Sequence, residues 1–152
     1  MIVVAIIGIL AAVAIPKFSE LIRKSNEGSN RGNLGALRSA LSIYYGDMEG
    51  NWPTDDLSSL TVGGKYITAI PKHRAVGYHP DNASVCTSLA ITGGACAIGL
   101  GAPPGYDGQV NNIIWVYWNR DEQPMSGTQR NKGDLWIGCL HTDTKGTVWT
   151  SY

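Results

Sequence analysis

Net charge is the first thing this chain lacks: twelve Lys and Arg balance twelve Asp and Glu. Nucleic acid is bound through clustered basic side chains that displace phosphate counterions, so it is not indicated as a partner. Cysteine is scarce. Cys86, Cys96 and Cys139 are the complete set, and none forms a C-x-x-C pair or a C-x-x-C-H haem-attachment site. His73, His79 and His141 have no metal-ligand helix spacing, and there is no G-x-S-x-G, P-loop or H-E-x-x-H. Isolated surface histidines are therefore expected, with no catalytic, cofactor-binding or metal site. Local charge is missing too: residues 1–15 carry no charged or hydrogen-bonding side chain before Pro16 and Lys17 arrive together.

That opening, "MIVVAIIGILAAVAIPKF", admits three readings. A cleaved signal peptide needs a basic start and a small-residue cleavage site; Ile2 follows Met1 directly, and Pro16-Lys17-Phe18 is a poor site. A buried core helix is short enough, yet this one is apolar on every face and the domain behind it is small. The third reading is a membrane anchor, although fifteen residues rise only ~22 Å against a hydrocarbon core of ~30 Å.

The opening resembles the N-terminal helix of type IV pilins and of type II secretion pseudopilins. The likeness is strong over residues 1–24 and weaker through "NLGALRSALSIYYGDMEGNWPT". It implies an α+β pilin fold, a long N-terminal helix packed on an antiparallel sheet head. It also implies processing by a prepilin peptidase with methylation of the new N-terminus, then residence in the bacterial inner membrane. Assembly machinery would build identical subunits into a helical, extracellular pilus; the alternative is a secretion pseudopilus. The family's first six mature residues, with their glutamate, have no counterpart here, which points to trimming or unusual processing; with them the anchor would reach ~21 residues, enough to span a bilayer.

The physics of such a helix stands apart from the name. A helix apolar all round is stable in lipid or among copies of itself. Gly8, Ala11, Ala12 and Ala14 permit close approach of neighbouring helices. Ile2, Val3, Val4, Ile6, Ile7, Ile9, Leu10, Val13 and Ile15 supply interlocking contacts, and Phe18 continues the apolar side. Pro16 deletes one backbone hydrogen bond and crowds the preceding turn. A simple kink is expected there in a free subunit, and the resemblance implies that residues 8–16 melt in a filament.

Three segments follow: 1–24 as assembly helix, 25–46 as amphipathic helix and 47–152 as head. Leu34, Leu37, Leu41 and Tyr44 recur at helical spacing, with Ala40 beside them, and should seat against a sheet. Gly28, Gly32 and Gly35 each cost about 1 kcal/mol against Ala, so a bend or break near residues 28–33 is expected. "GNWPTDDLSSL" reads as a turn and a short helix capped by Thr54, with Asp55 and Asp56 in its first turn. "NNIIWVYWN", "GDLWIGCLH" and "GTVWTSY" read as strands, the first central because both its faces are apolar, the last two forming a hairpin.

In an exported domain one disulfide and one leftover thiol are favoured. Cys86–Cys96 is the preferred pairing, because "CTSLAITGGAC" bends at Gly93 and Gly94; three reduced core cysteines remain the alternative. Tyr44, Tyr45 and Trp52 form an aromatic seam. Asp121, Glu122, Asp134 and Asp143 include enough oxygens for calcium, and the resemblance to major pseudopilins implies such a site, but their spacing matches no loop motif and solvated charges are the better reading. Asn82-Ala83-Ser84 fits a glycosylation sequon. The turn-rich "APPGYDGQ" should be an exposed loop.

Overall fold

The computed structural model describes residues 2–54, 56–74, 81–87, 115–120, 131–139 and 141–152. A single helix, α1 (Ile2–Asp47), leads into a short 3₁₀ segment, η1 (Ser58–Gly64). Among the described residues three short strands follow, β1 (Val85–Thr87), β2 (Trp115–Tyr117) and β3 (Leu135–Ile137), and then a terminal 3₁₀ turn, η2 (Trp149–Ser151).

The expected break at residues 28–33 is absent: α1 runs through Gly28, Gly32 and Gly35. Helical stability in proteins comes mainly from packing of one face, and here the packed face flanks every one of those glycines. Glu27, Asn30, Leu34, Leu37, Ala40 and Leu41 are buried against the head. The glycines face outward, and a Cβ at any of the three would meet nothing. Pro16 likewise lies inside the continuous helix.

β2 is the central strand, as its two apolar faces required. It pairs antiparallel with β3 in the register Trp115↔Ile137, Val116↔Trp136 and Tyr117↔Leu135. Its partner on the other side, β1, runs parallel, so the α+β sheet is mixed where an antiparallel one was expected. A parallel pair needs a long crossover in place of a hairpin, and residues 88–114 provide that length. Leu34, Leu37 and Leu41 pack with Leu57, Leu60, Trp115, Tyr117, Leu135, Ile137 and Trp149 in one core.

Two elements differ from the sequence reading. Thr54 caps no helix; its carbonyl accepts from Asn119 Nδ2 at 2.9 Å. The 3₁₀ segment instead begins after Leu57, whose φ is +68°, and Asp56 Oδ1 accepts from the Ser58 N–H at 3.3 Å. Asp55 lies outside the described residues. The expected last strand shrinks to one antiparallel bridge, Thr142↔Val148. The chain then coils into η2, which brings Trp149 into the core.

Candidate functional site

The feature that dominates the surface is the first half of α1. Twelve large apolar side chains between Ile2 and Ile22 stand 52–78% exposed. They include the expected assembly residues Ile2, Val3, Ile6, Ile7, Leu10, Val13 and Phe18, with Leu21 and Ile22 extending the patch beyond the first charges. Ala11, Ala12 and Pro16 are exposed as well, and a Cβ on Gly8 would meet no atom. By composition and length this is a helix able to cross a membrane. Among the described residues no part of the head covers this stretch: the first buried residue along α1 is Glu27. Lys17 and Lys24 both pair with Glu20, at 3.6 and 2.6 Å, so the charges bordering the apolar run are locally matched.

Below that point the helix is held by polar contacts whose residues the apolar periodicity did not mark. Glu27 is 5% exposed; its Oε1 accepts from the Thr144 N–H at 3.0 Å and its Oε2 from the Thr144 hydroxyl at 2.7 Å. Arg23 lies 3.5 Å from the same carboxylate. One turn on, Asn30 and Arg74 exchange two bonds: Asn30 Nδ2 donates to the Arg74 carbonyl at 2.7 Å, and the Arg74 N–H donates to Asn30 Oδ1 at 2.8 Å.

Arg31 is the hinge of the arrangement. Its guanidinium bonds the Asp143 carboxylate and donates to the Tyr152 hydroxyl at 2.7 Å, with the Tyr152 ring 4.6 Å below it. The Tyr152 hydroxyl donates in turn to Asp143 Oδ2 at 2.7 Å. Asp143 Oδ1 accepts from the N–H groups of Lys145 and Thr147, both at 2.8 Å. The Tyr152 hydroxyl first, then these backbone donors and the Arg31 charge, hold the Asp143 carboxyl down at about 2 against the opposing effect of burial. Arg38 completes the set, donating through Nε and Nη2 to the Leu135 carbonyl at 3.1 and 2.7 Å and to the Tyr152 carbonyl.

At the far end of α1, Lys65 Nζ lies 2.8 Å from Asp47 and the Tyr66 hydroxyl donates to the same carboxylate at 3.1 Å. Lys65, then Tyr66, lower the Asp47 carboxyl below its usual range, and the contact raises Lys65. The aromatic seam is real but divided. Tyr45 stacks on Trp52 with ring centres 4.2 Å apart, while Tyr44 meets Tyr66 edge-on at 5.3 Å.

The other candidates scatter. His73 is buried, contrary to the surface reading, because its backbone bridges Asn82 and its ring packs edge-on to Trp115 and Trp149. His141 Nδ1 lies 3.4 Å from Cys139 Sγ, and His79 is outside the described residues. Asp143 belongs to the polar clasp that Glu27 and Arg31 form with Asp143, Thr144 and Tyr152, and Asp134 Oδ2 accepts from the Asn131 N–H at 2.8 Å; Asp121 and Glu122 are not described. Among the described residues no cluster of three or more metal-ligating side chains forms. Cys86 is disulfide-bonded and Cys139 is a buried free thiol, whereas Cys96 and "APPGYDGQ" fall outside the described residues. In the sequon, Asn82 Oδ1 accepts from the Ser84 N–H and hydroxyl at 3.0 and 2.8 Å, a local turn.

Comparison with known proteins gives three significant relatives. The chain is 40% identical over 73 residues to the fimbrial protein EcpC of Eikenella corrodens, covering 46% of this chain and 47% of that one. It is 33% identical over 81 residues to the type IV major pilin protein PilE of Neisseria gonorrhoeae, covering 50% and 48%. Against a fimbrial protein of Neisseria meningitidis it is 33% identical over 75 residues, covering 46% and 44%. The chain thus spans about half the length of the curated relatives it matches. No family model matches, and no solved structure gives a significant match. These relatives bear out the resemblance to type IV pilins, and none of the three is described as a secretion pseudopilin.

Proposed function

We propose, for a chain whose relatives are fimbrial and type IV pilin proteins, that it is a structural subunit polymerising through the exposed half of α1 into the body of a pilus. One observation carries this reading: twelve large apolar side chains on all faces of one helix, each more than half exposed. Burying such a side chain stabilises by about 1.5–3 kcal/mol, a driving force no isolated subunit in water satisfies.

Two environments suit the segment. Residues 2–22 rise about 31 Å, close to the ~30 Å hydrocarbon thickness, with Lys17 and Glu20 reaching along the helix toward the interface. This is the membrane-held subunit, before assembly. Drawn into a bundle of like helices, the same side chains exchange lipid for each other, and Gly8, Ala11 and Ala12 allow the backbones to approach. Pro16 lowers the cost of deforming the helix where it leaves that bundle. The major-subunit role, the extracellular localisation and the prepilin peptidase step belong to this same proposal.

The test is electron microscopy of cells carrying Ala12→Asp or Gly8→Leu. Both positions are open in the free subunit, so the head should fold; filaments should vanish, because Ala12→Asp puts an unpaired charge in an apolar bundle and Gly8→Leu fills the space that close helix approach needs. Normal filaments from Ala12→Asp would refute the reading.

A further inference from the structure

Between the second half of α1 and the turn entering β3 lies a cavity of about 410 Å³, within the size range of small-molecule sites. Among the described residues its walls are Arg38, Leu41 and Ser42 of α1, Trp52 beyond it, and Gly133, Asp134 and Leu135 across from them. It lies apart from the exposed apolar run of residues 2–22, and none of the assembly residues lines it.

The cavity is built, and a glycine permits it. Gly133 has φ +97°, and a Cβ there would lie 2.7 Å from the Trp52 ring; only glycine allows the turn to sit against the indole while Tyr45 stacks on it. The polar walls are partly spent on the fold. Arg38 commits Nε and Nη2 to the carbonyls of Leu135 and Tyr152, and Nη1 has no such partner among the described residues. Asp134 commits Oδ2 to the Asn131 N–H. Ser42 donates to the Arg38 carbonyl at 3.0 Å and keeps lone pairs to accept with.

The chemistry of these walls narrows the occupant. Among the described residues one guanidinium and one carboxylate line the same space, so a simple anion meets Asp134 and a simple cation meets Arg38. An apolar ligand would desolvate both without compensation. A neutral ligand dense in hydroxyl groups satisfies both, accepting from the guanidinium, donating to the carboxylate and laying its C–H surface on the Trp52 rim. We propose that this cavity is a binding site for a neutral saccharide, of mono- to disaccharide size. The proposal concerns the single subunit and does not depend on filament assembly.

The experiment is an NMR titration of the full chain in a polyoxyethylene detergent, which carries no sugar headgroup. The probes are lactose, cellobiose and diacetylchitobiose, with glycine betaine as the zwitterionic competitor that could match Arg38 and Asp134 together and inorganic phosphate as the anionic one. At least one disaccharide should shift the Trp52 indole N–H and the Ser42 amide saturably, with Kd on the order of 1 mM. Ser42→Phe, which fills the cavity from an exposed helix position, should weaken that binding more than tenfold while circular dichroism and the Trp149 indole signal stay unchanged. Three results would overturn the proposal: no shift with any of the three sugars at on the order of 50 mM, saturable shifts with betaine or phosphate in their place, or undiminished sugar binding by a folded Ser42→Phe.

Discussion

Glu27 is the most informative single position in the clasp, because it sits where α1 passes from full exposure to burial. Its carboxylate accepts two hydrogen bonds from Thr144, 117 residues away, at 3.0 and 2.7 Å. A hydrogen bond to a charged group contributes about 1.5–3 kcal/mol, and the two share one acceptor group, so their sum is less than additive. The Arg23 contact, with its side chain 38% exposed, adds under about 1 kcal/mol. Glu27→Ala should therefore destabilise the fold by about 2–4 kcal/mol, because it also leaves the Thr144 N–H without its acceptor. For a chain of this size the melting temperature should fall by roughly 6–12 °C. Urea unfolding in detergent, followed by near-ultraviolet circular dichroism, measures the loss, and Thr144→Ala completes a double-mutant cycle. A loss under about 0.5 kcal/mol, or full additivity of the two substitutions, would show that the clasp is incidental to packing.

Three further outcomes follow from the same contacts. Asp143 titrates at about 2 in the fold against roughly 3.9 in an unfolded chain. Its contribution to stability should be complete above about pH 4 and vanish as pH falls toward 2; Asp143→Asn should flatten that dependence, read by unfolding midpoints across the range. A chain beginning at Arg23 should be soluble and folded, because every buried side chain on α1 lies at Glu27 or beyond; aggregation of that fragment would deny the head its independence. Non-reducing digestion and mass spectrometry should give a Cys86–Cys96 crosslink with Cys139 alkylatable only after unfolding, and a crosslink containing Cys139 would exclude that pairing.

The sequence by itself determined the elements whose logic is periodic or compositional. Fifteen residues without charge call for an apolar environment, and the structure leaves that run bare. Leu34, Leu37 and Leu41 recur on one helical face and are buried there, while the doubly apolar run at Trp115–Tyr117 supplies the central strand. Tertiary structure decided the rest. Glu27 and Arg31 stand among charged residues at ordinary helical spacing, and nothing local distinguishes them from solvated ones. They meet Thr144, Asp143 and Tyr152 only because the last turn folds back over α1. His73 was drawn inside by a backbone bridge to Asn82, and Gly133 faces Trp52 from eighty-one residues further along the chain. Apolar burial follows a period that a sequence displays; polar pairing across a hundred residues follows only from the fold.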